Sequence, residues 1–165
     1  MSDPRIRAAL GSGLFLVVAP GVVAGLVPWW LTGWQPGSTW LPLQVLGASL
    51  IVAGVIVLVD AFIRFVVEGI GTPAPVAPTQ RLVVGGLYRY VRNPMYLAVG
   101  ATIVGQALLL GRPVLLLYAA AFAAVVFAFV RLYEEPTLAR QFGAQYEDYC
   151  RAVPGWWPRL RPWRG

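Results

Sequence analysis

The chain has no histidine and no lysine, a single cysteine, and only seven acids against thirteen arginines. Without histidine there is no imidazole metal site, no Ser-His or Cys-His dyad and no histidine proton relay. One cysteine excludes an internal disulfide and any CxxC metal motif. Charge of either sign is scarce: 12% of the 165 residues are charged while 58% are apolar, a balance that no ordinary water-soluble domain shows. From Ala8 to Val59 there is no charged residue at all. The arginines lie scattered around apolar segments and form no continuous basic face. The positive balance therefore points to anionic lipid head groups, and neither nucleic acid nor a metal is expected as a partner.

What is abundant is uncharged apolar sequence. Ala8 to Val27 is about 20 residues, roughly 30 Å as a helix, and Leu41 to Val59 with the mixed stretch to Val67 is long enough for a second crossing. Between them, Pro28-Trp29-Trp30, Gly33-Trp34-Gln35-Pro36-Gly37 and Trp40 read as a turn whose indoles suit the headgroup layer. Met95 to Leu110 and Val114 to Val130 are two further uncharged runs, joined by the breaker triplet Gly111-Arg112-Pro113 as a helical hairpin. The first run lacks the short core and small-residue cleavage site of a signal peptide and reads as a retained anchor. After the fourth run, Leu138, Phe142, Tyr146 and Tyr149 recur at helical spacing, an amphipathic segment lying on the membrane or on the protein. The expected fold is all-α: an integral membrane helical bundle of four transmembrane helices plus a C-terminal amphipathic helix.

Arginine placement orients it. Twelve of the thirteen arginines fall on one side of a four-span layout and only Arg112 on the other, which puts both termini in the cytoplasm of a multi-pass inner or plasma membrane protein. All seven acids and the one long loop share the arginine-rich side, so the chemistry belongs there. Residues 1–78 read as a membrane anchor half with two spans and a linker, and residues 79–165 as the half that carries the chemistry. Cys150 faces a reducing cytosol as an unpaired thiol.

Three polar groupings stand out. Asp60, Arg64 and Glu68 are spaced by four at the end of the second run: either a self-satisfying ladder at the interface, or a site where Arg64 meets an anionic head group. The stretch from Thr79 to Tyr96 packs arginine, tyrosine and asparagine ahead of a helix, with Asn93 suited to an N-cap, Pro94 to the first turn and Gly85-Gly86 to a close backbone approach. Last, Glu134-Glu135 leaves the fourth run. Two adjacent carboxylates emerging from an apolar helix are costly unless they pair with arginines or hold a cation. No run contains a deep ionisable residue, which weighs against a proton-coupled carrier.

In order and spacing, Arg92-Asn93-Pro94-Met95-Tyr96, a short hairpin, Glu134-Glu135, Phe142-Gly143, Tyr146, Tyr149 and Val153-Pro154 resemble the integral-membrane methyltransferases that include isoprenylcysteine carboxyl methyltransferases and phospholipid N-methyltransferases. The resemblance covers about Thr79 to Pro158. It implies S-adenosylmethionine-dependent methyl transfer, at the cytoplasmic face, to a lipophilic acceptor entering sideways from the bilayer. By matching positions it implies cofactor contacts from Gln80, Arg81, Leu82, Val83, Tyr88, Asn93, Pro94, Met95, Tyr96, Glu134 and Glu135, and, more loosely, a catalytic arginine at Arg131 beside the substrate. Many carboxyl methyltransferases of this group have histidine where this chain has Asn93, and the Asn-Pro-Met-Tyr run stands closer to the phospholipid branch. Both a phospholipid amine and an isoprenylcysteine-type carboxylate stay open as acceptors.

The chemistry of the residues agrees with that expectation. A donor carrying a sulfonium, an ammonium and a carboxylate calls for fixed anions, a cation and aromatic walls, which Glu134 and Glu135, Arg81 or Arg92, and Tyr88 or Tyr96 would supply. Methyl transfer in line needs alignment and dryness more than acid-base groups, so a chain without histidine can perform it. The competing expectations are a non-enzymatic scaffold or small carrier in which the acids merely pair with arginines, and a sterol-reductase-like enzyme, for which no phosphate-binding glycine signature exists beyond Gly85-Gly86.

Overall fold

The computed structural model describes residues 18–64, 67–68 and 81–164. These form helices and connecting loops, with no strand among the described residues: α1 (Val18–Thr32), α2 (Leu41–Arg64), α3 (Pro94–Leu110), α4 (Val114–Phe142) and α5 (Ala144–Ala152). A 3₁₀ turn spans Gly86–Arg89. Two of the helices, α2 and α4, are long and apolar enough to cross a membrane, while the described part of α1 and α3 are shorter apolar helices. The expected start of the first span at Ala8 lies outside the described residues. Much of α2 and α4 turns its apolar residues outward, Val52 and Ile56 on one and Leu117 and Val125 on the other. A soluble helix of this composition would bury them.

Two sequence expectations about boundaries are corrected. Pro28-Trp29-Trp30, read as the start of a turn, belongs to α1, which runs on to Thr32 before Gly33 and Trp34 take left-handed conformations. The helix that carries the fourth apolar run does not stop near Arg131 before a separate amphipathic segment, because α4 continues through Pro136 to Phe142. Both corrections share a cause. Proline removes an amide donor and ordinarily breaks a helix, unless the turn before it widens so that the carbonyls left over can find other donors. In α1 a π turn covers Val22–Leu26, and the Val27 amide reaches back to Val22 O. That leaves Val23 O without a donor in its own helix and deprives Ala24 O of the amide one turn on, since Pro28 has none to give. Tyr118 Oη donates to Val23 O at 2.8 Å, and Gln106 Nε2 to Ala24 O at 2.6 Å. In α4 a second π turn covers Val130–Glu134, the Glu135 amide bonds Val130 O, and Pro136 follows at once.

Gln106 uses both ends of its amide. Besides the bond to Ala24 O, its Nε2 approaches Thr102 O at 3.3 Å, and its Oε1 accepts from Trp34 Nε1 at 3.2 Å. That bond holds the indole of a residue whose own backbone is in the left-handed region, with φ of 53°.

The centre of the fold is the pair α2 and α3. Their backbones meet where Gly47 opposes Gly105: a Cβ on Gly47 would lie 2.5 Å from Gly105 O, and one on Gly105 would lie 2.7 Å from Gly47 O. Small residues allow this approach and bring the two backbones into van der Waals contact. Further along, a Cβ on Gly54 would lie 2.5 Å from Thr102 Oγ1. The loop after α1 packs on the tip of the α3–α4 hairpin, with Gly37 N bonded to Leu110 O at 2.7 Å and Arg112 Nε to Gln35 O at 3.0 Å. These two connections share one end of the bundle. The Gly86–Arg89 turn, the two glutamates of α4, α5 and the C-terminal tail gather at the other.

Gly47→Ala should lower the unfolding free energy of the detergent-solubilised protein by about 1–3 kcal/mol through overpacking. Gly21→Ala, with nothing within 4 Å of the added carbon, should be neutral or stabilise by up to about 1 kcal/mol. Gln106→Leu orphans the Ala24 carbonyl and the Trp34 indole and should cost about 1–3 kcal/mol. Equilibrium unfolding of the three variants against wild type checks the order.

Candidate active site

Residues 82–84 send successive side chains to opposite sides. Val83 packs with Ala61 of α2, Tyr88 and Met95, while Leu82 and Val84 pack on the other side against Tyr146, Tyr149 and Val153. The amphipathic segment foreseen over Leu138 to Tyr149 is thus two helices broken at Gly143, and its apolar face lies on the protein. Gly143 makes the break with φ of 54°.

The Gly85-Gly86 pair does what its position suggests. Gly85 N donates to Glu68 Oε2 at 2.9 Å, and a Cβ on Gly86 would meet Arg64 Nε at 2.7 Å. Arg64 pairs with Glu68 at 3.2 Å and more loosely with Asp60 at 3.9 Å. Asp60 and Arg64 of α2, together with Glu68 beyond its end, therefore clamp the loop that leads to Tyr88. Burial, with Tyr149, Glu134, Tyr96 and Asp60 adding to it, pushes the Tyr88 phenol well above its ordinary value. Burial likewise raises that of Tyr149, so Tyr149 keeps its proton and donates it to Tyr88 O at 2.6 Å.

The start of α3 and the π turn of α4 meet through one short bond: Tyr96 Oη donates to Glu134 Oε2 at 2.8 Å. Glu135 faces elsewhere. Its Oε1 accepts from Arg92 Nη1 at 3.0 Å and its Oε2 from Arg131 Nη1 at 3.0 Å. Neighbouring residues of a helix project about 100° apart, so adjacent glutamates diverge instead of forming one cage. Arg92 Nη1 also lies 3.3 Å from Tyr146 Oη and 2.9 Å from Cys150 Sγ. Its Nε is buried with no acceptor among the described residues.

Asn93 occupies the N-cap position, but its side chain makes no cap bond; Nδ2 donates instead to Gly155 O at 3.1 Å. Pro94 takes the first turn of α3, as its fixed φ favours. Arg81 is exposed, and Gln80 lies outside the described residues. Arg131 is largely solvent-facing and engages only Glu135 among the described ion pairs.

Two cavities flank the glutamates. On the Glu135 side is a polar one of about 540 Å³, lined by Arg92, Arg131, Glu135, Tyr146, Cys150 and Arg151 among others. On the Tyr96 side an apolar groove of about 500 Å³ runs between α3 and α4, past Tyr96, Gly100, Val104, Phe122 and Ala123, with Trp156 of the tail at one wall. Trp156 and Gly100 were not foreseen as site residues. Trp156 sits in a polar tail with no periodicity to mark it, and Gly100 is indistinguishable by sequence from the packing glycines.

Arg92 and Arg131 provide a test of which ion pair matters. Side-chain exposure is 16% for Arg92 and 61% for Arg131. Arg92→Gln strips a half-enclosed carboxylate and two further acceptors of their donor and should cost about 2–3 kcal/mol of stability. Arg131→Gln should stay within about 0.5 kcal/mol of wild type. Parallel denaturant titrations distinguish them.

Residues 43–145 match the family model described as phospholipid methyltransferase. No curated protein and no solved structure matches the chain. The match covers more than half of the sequence, from the first turns of α2 through the Glu134-Glu135 pair to the start of α5, and so takes in Tyr96, Glu134 and Glu135 but stops before Tyr146, Cys150 and Arg151 of the polar cavity and Trp156 of the groove. The chain belongs to the phospholipid methyltransferase family.

Proposed function

We propose that the protein transfers a methyl group from S-adenosylmethionine to a lipid-soluble acceptor at the cytoplasmic face of a membrane it crosses four times. The observation that carries this reading is the Tyr96–Glu134 hydrogen bond, because Tyr96 lines the apolar groove and Glu134 is followed directly by Glu135, which lines the polar cavity. α1 and α3 complete the crossings begun by α2 and α4. The end of the bundle that holds only Arg112 among the described arginines would face away from the cytoplasm.

The residues present suit the donor. Arg92 lines the polar cavity and keeps a buried Nε–H without an acceptor among the described residues, which suits a carboxylate. Glu135 and Glu147 suit an ammonium group in the same cavity, and Tyr146 offers an aromatic wall. Glu134, Tyr96 and Tyr88 would face the sulfonium, with Leu82, Val83, Asn93, Pro94 and Met95 holding the loop that shapes the site. When bound, the cofactor supplies an electrophilic methyl group.

The protein's own residues would do the rest. The groove takes the hydrocarbon part of the acceptor. From Tyr96 to Val104 it follows two turns of α3, roughly 12 Å, so the chain nearest the head group is seated and the remainder stays in lipid. Trp156 and Phe127 exclude water beside Tyr96. Tyr96 fixes the Glu134 carboxylate by donating to Oε2, and that carboxylate takes the proton a lipid ammonium must lose before its nitrogen can attack. A carboxylate acceptor would need no such step, so Glu134 then serves for charge alone. Arg131, at the rim of the polar cavity, would meet the acceptor head group.

Calorimetric titration of the purified protein with S-adenosylhomocysteine tests the donor site. Wild type should bind, and Glu134→Gln and Glu135→Gln should each weaken binding at least about tenfold. No heat from folded wild type would leave the scaffold reading. Gly100→Leu, which fills the groove, should abolish methylation of membrane lipids, read by mass spectrometry as loss of the one-methylene shift, while S-adenosylhomocysteine still binds.

A further inference from the structure

The tail after α5 has no regular structure, yet it is held at six points. Arg92 N bonds Pro154 O at 3.0 Å, Asn93 Nδ2 bonds Gly155 O at 3.1 Å, and Arg159 N bonds Tyr90 O at 3.0 Å. Trp163 and Arg89 exchange two bonds, Trp163 N to Arg89 O at 2.9 Å and Arg89 Nε to Trp163 O at 2.6 Å. Arg159 Nη1 closes back on Ala152 O at 2.6 Å. The Trp163 ring packs on Tyr149, with centroids 5.5 Å apart. This is a rigid strap lashed along the 89–93 loop.

Its outer side is unexpected for so firmly held a segment. Trp157 is 82% exposed and Leu160 is 99% exposed. Arg161 and Arg164 are exposed beside them, and the sequence contains no acid after Asp148. The depth of the strap is also given. Trp156 packs on Phe127 with ring centroids 5.9 Å apart, and Phe127 lies one turn before Arg131, where the apolar run of α4 gives way to charge. Trp157, the next residue, therefore stands near that boundary, and Leu160 follows it in the strap.

We propose that residues 157–164 form an interfacial anchor that seats Trp157 and Leu160 among the head groups of an anionic leaflet, with Arg161 and Arg164 on lipid phosphates. An indole and an isobutyl group at the boundary, flanked by arginines without acids, match the chemistry of a negatively charged membrane surface. Because the same strap carries Trp156 into the groove wall and holds Arg92 and Asn93, lipid docking would set the geometry at the groove mouth. The inference rests on the reading of α2 and α4 as membrane spans, not on the methyltransferase activity.

The test places the photocrosslinker p-benzoylphenylalanine at position 157, 160 or 117 of the otherwise wild-type full chain. The protein sits in nanodiscs of phosphatidylcholine alone or with about 30% phosphatidylglycerol, and adducts are identified by intact mass. Positions 157 and 160 should yield lipid adducts, with phosphatidylglycerol at least about threefold over its share; the excess should vanish in the Arg161→Gln/Arg164→Gln variant. Position 117, outward on α4, should yield lipid adducts without headgroup preference. Lipid adducts at 117 but none at 157 or 160 would overturn the anchor, as would protein–protein adducts at 157 and 160, which would mark a contact between two copies. Phosphatidylglycerol captured only in proportion to its share would overturn the anionic selectivity. Failure at 117 itself would refute the spanning arrangement beneath the proposal.

Discussion

The hydrogen bond from Tyr96 to Glu134 ties the first turn of α3 to the π turn of α4, and the surroundings of the site follow from it. A carboxylate near the mouth of an apolar groove is costly unless something donates to it. Tyr96 is the donor at hand because Asn93-Pro94 starts α3 at the register that brings the phenol across to α4. With Glu134 held on that side, Glu135 necessarily turns to the other, where Arg92 and Arg131 bind one oxygen each. The polar cavity and the apolar groove thus lie on opposite sides of a single helical turn.

Two prolines inside apolar helices are accommodated the same way and to different ends. Ahead of Pro28 and of Pro136 the chain opens one π turn, and the amide just before the proline bonds five residues back. In α1 the freed carbonyls are taken by Gln106 and Tyr118, which binds α1 to the hairpin of α3 and α4. In apolar surroundings such a carbonyl cannot be left unpaired, since each would cost several kcal/mol, so the proline converts a local defect into a tertiary link. In α4 the widened turn lies between the apolar run and the charged continuation, and it ends on Glu134 with Glu135 directly after it. π turns of this kind recur at functional sites for that reason.

The polar end is assembled from parts distant in sequence. Arg64 at the end of α2 and Glu68 beyond it clamp Gly85-Gly86, the 3₁₀ turn delivers Tyr88 to Tyr149, and the tail from Pro154 to Trp163 is strapped over Arg89 to Asn93. Arg92 is the junction, since its guanidinium joins α4 to α5 through Glu135, Tyr146 and Cys150 while its amide holds the tail. The thiol, read from sequence as an unremarkable unpaired cysteine, is one of the acceptors of that junction.

The sequence by itself determined the helical class, the two long apolar helices, the breaker at Gly111-Arg112-Pro113 and the segment around Asn93 to Tyr96, because each follows from local chemistry: runs without charge, missing donors and fixed φ. It also determined the family, since Arg92 to Tyr96 and Glu134-Glu135 keep their order and spacing in the chain. Only tertiary structure decided that Asn93 spends its side chain on Gly155 and not on its own helix, that the two glutamates part company, and that Leu138 to Tyr149 rests on the protein. It likewise decided that Pro28 and Pro136 lie within helices. Each of these depends on which donors and acceptors from distant segments arrive nearby, and sequence spacing along one helix carries no information about partners 38 to 95 residues away.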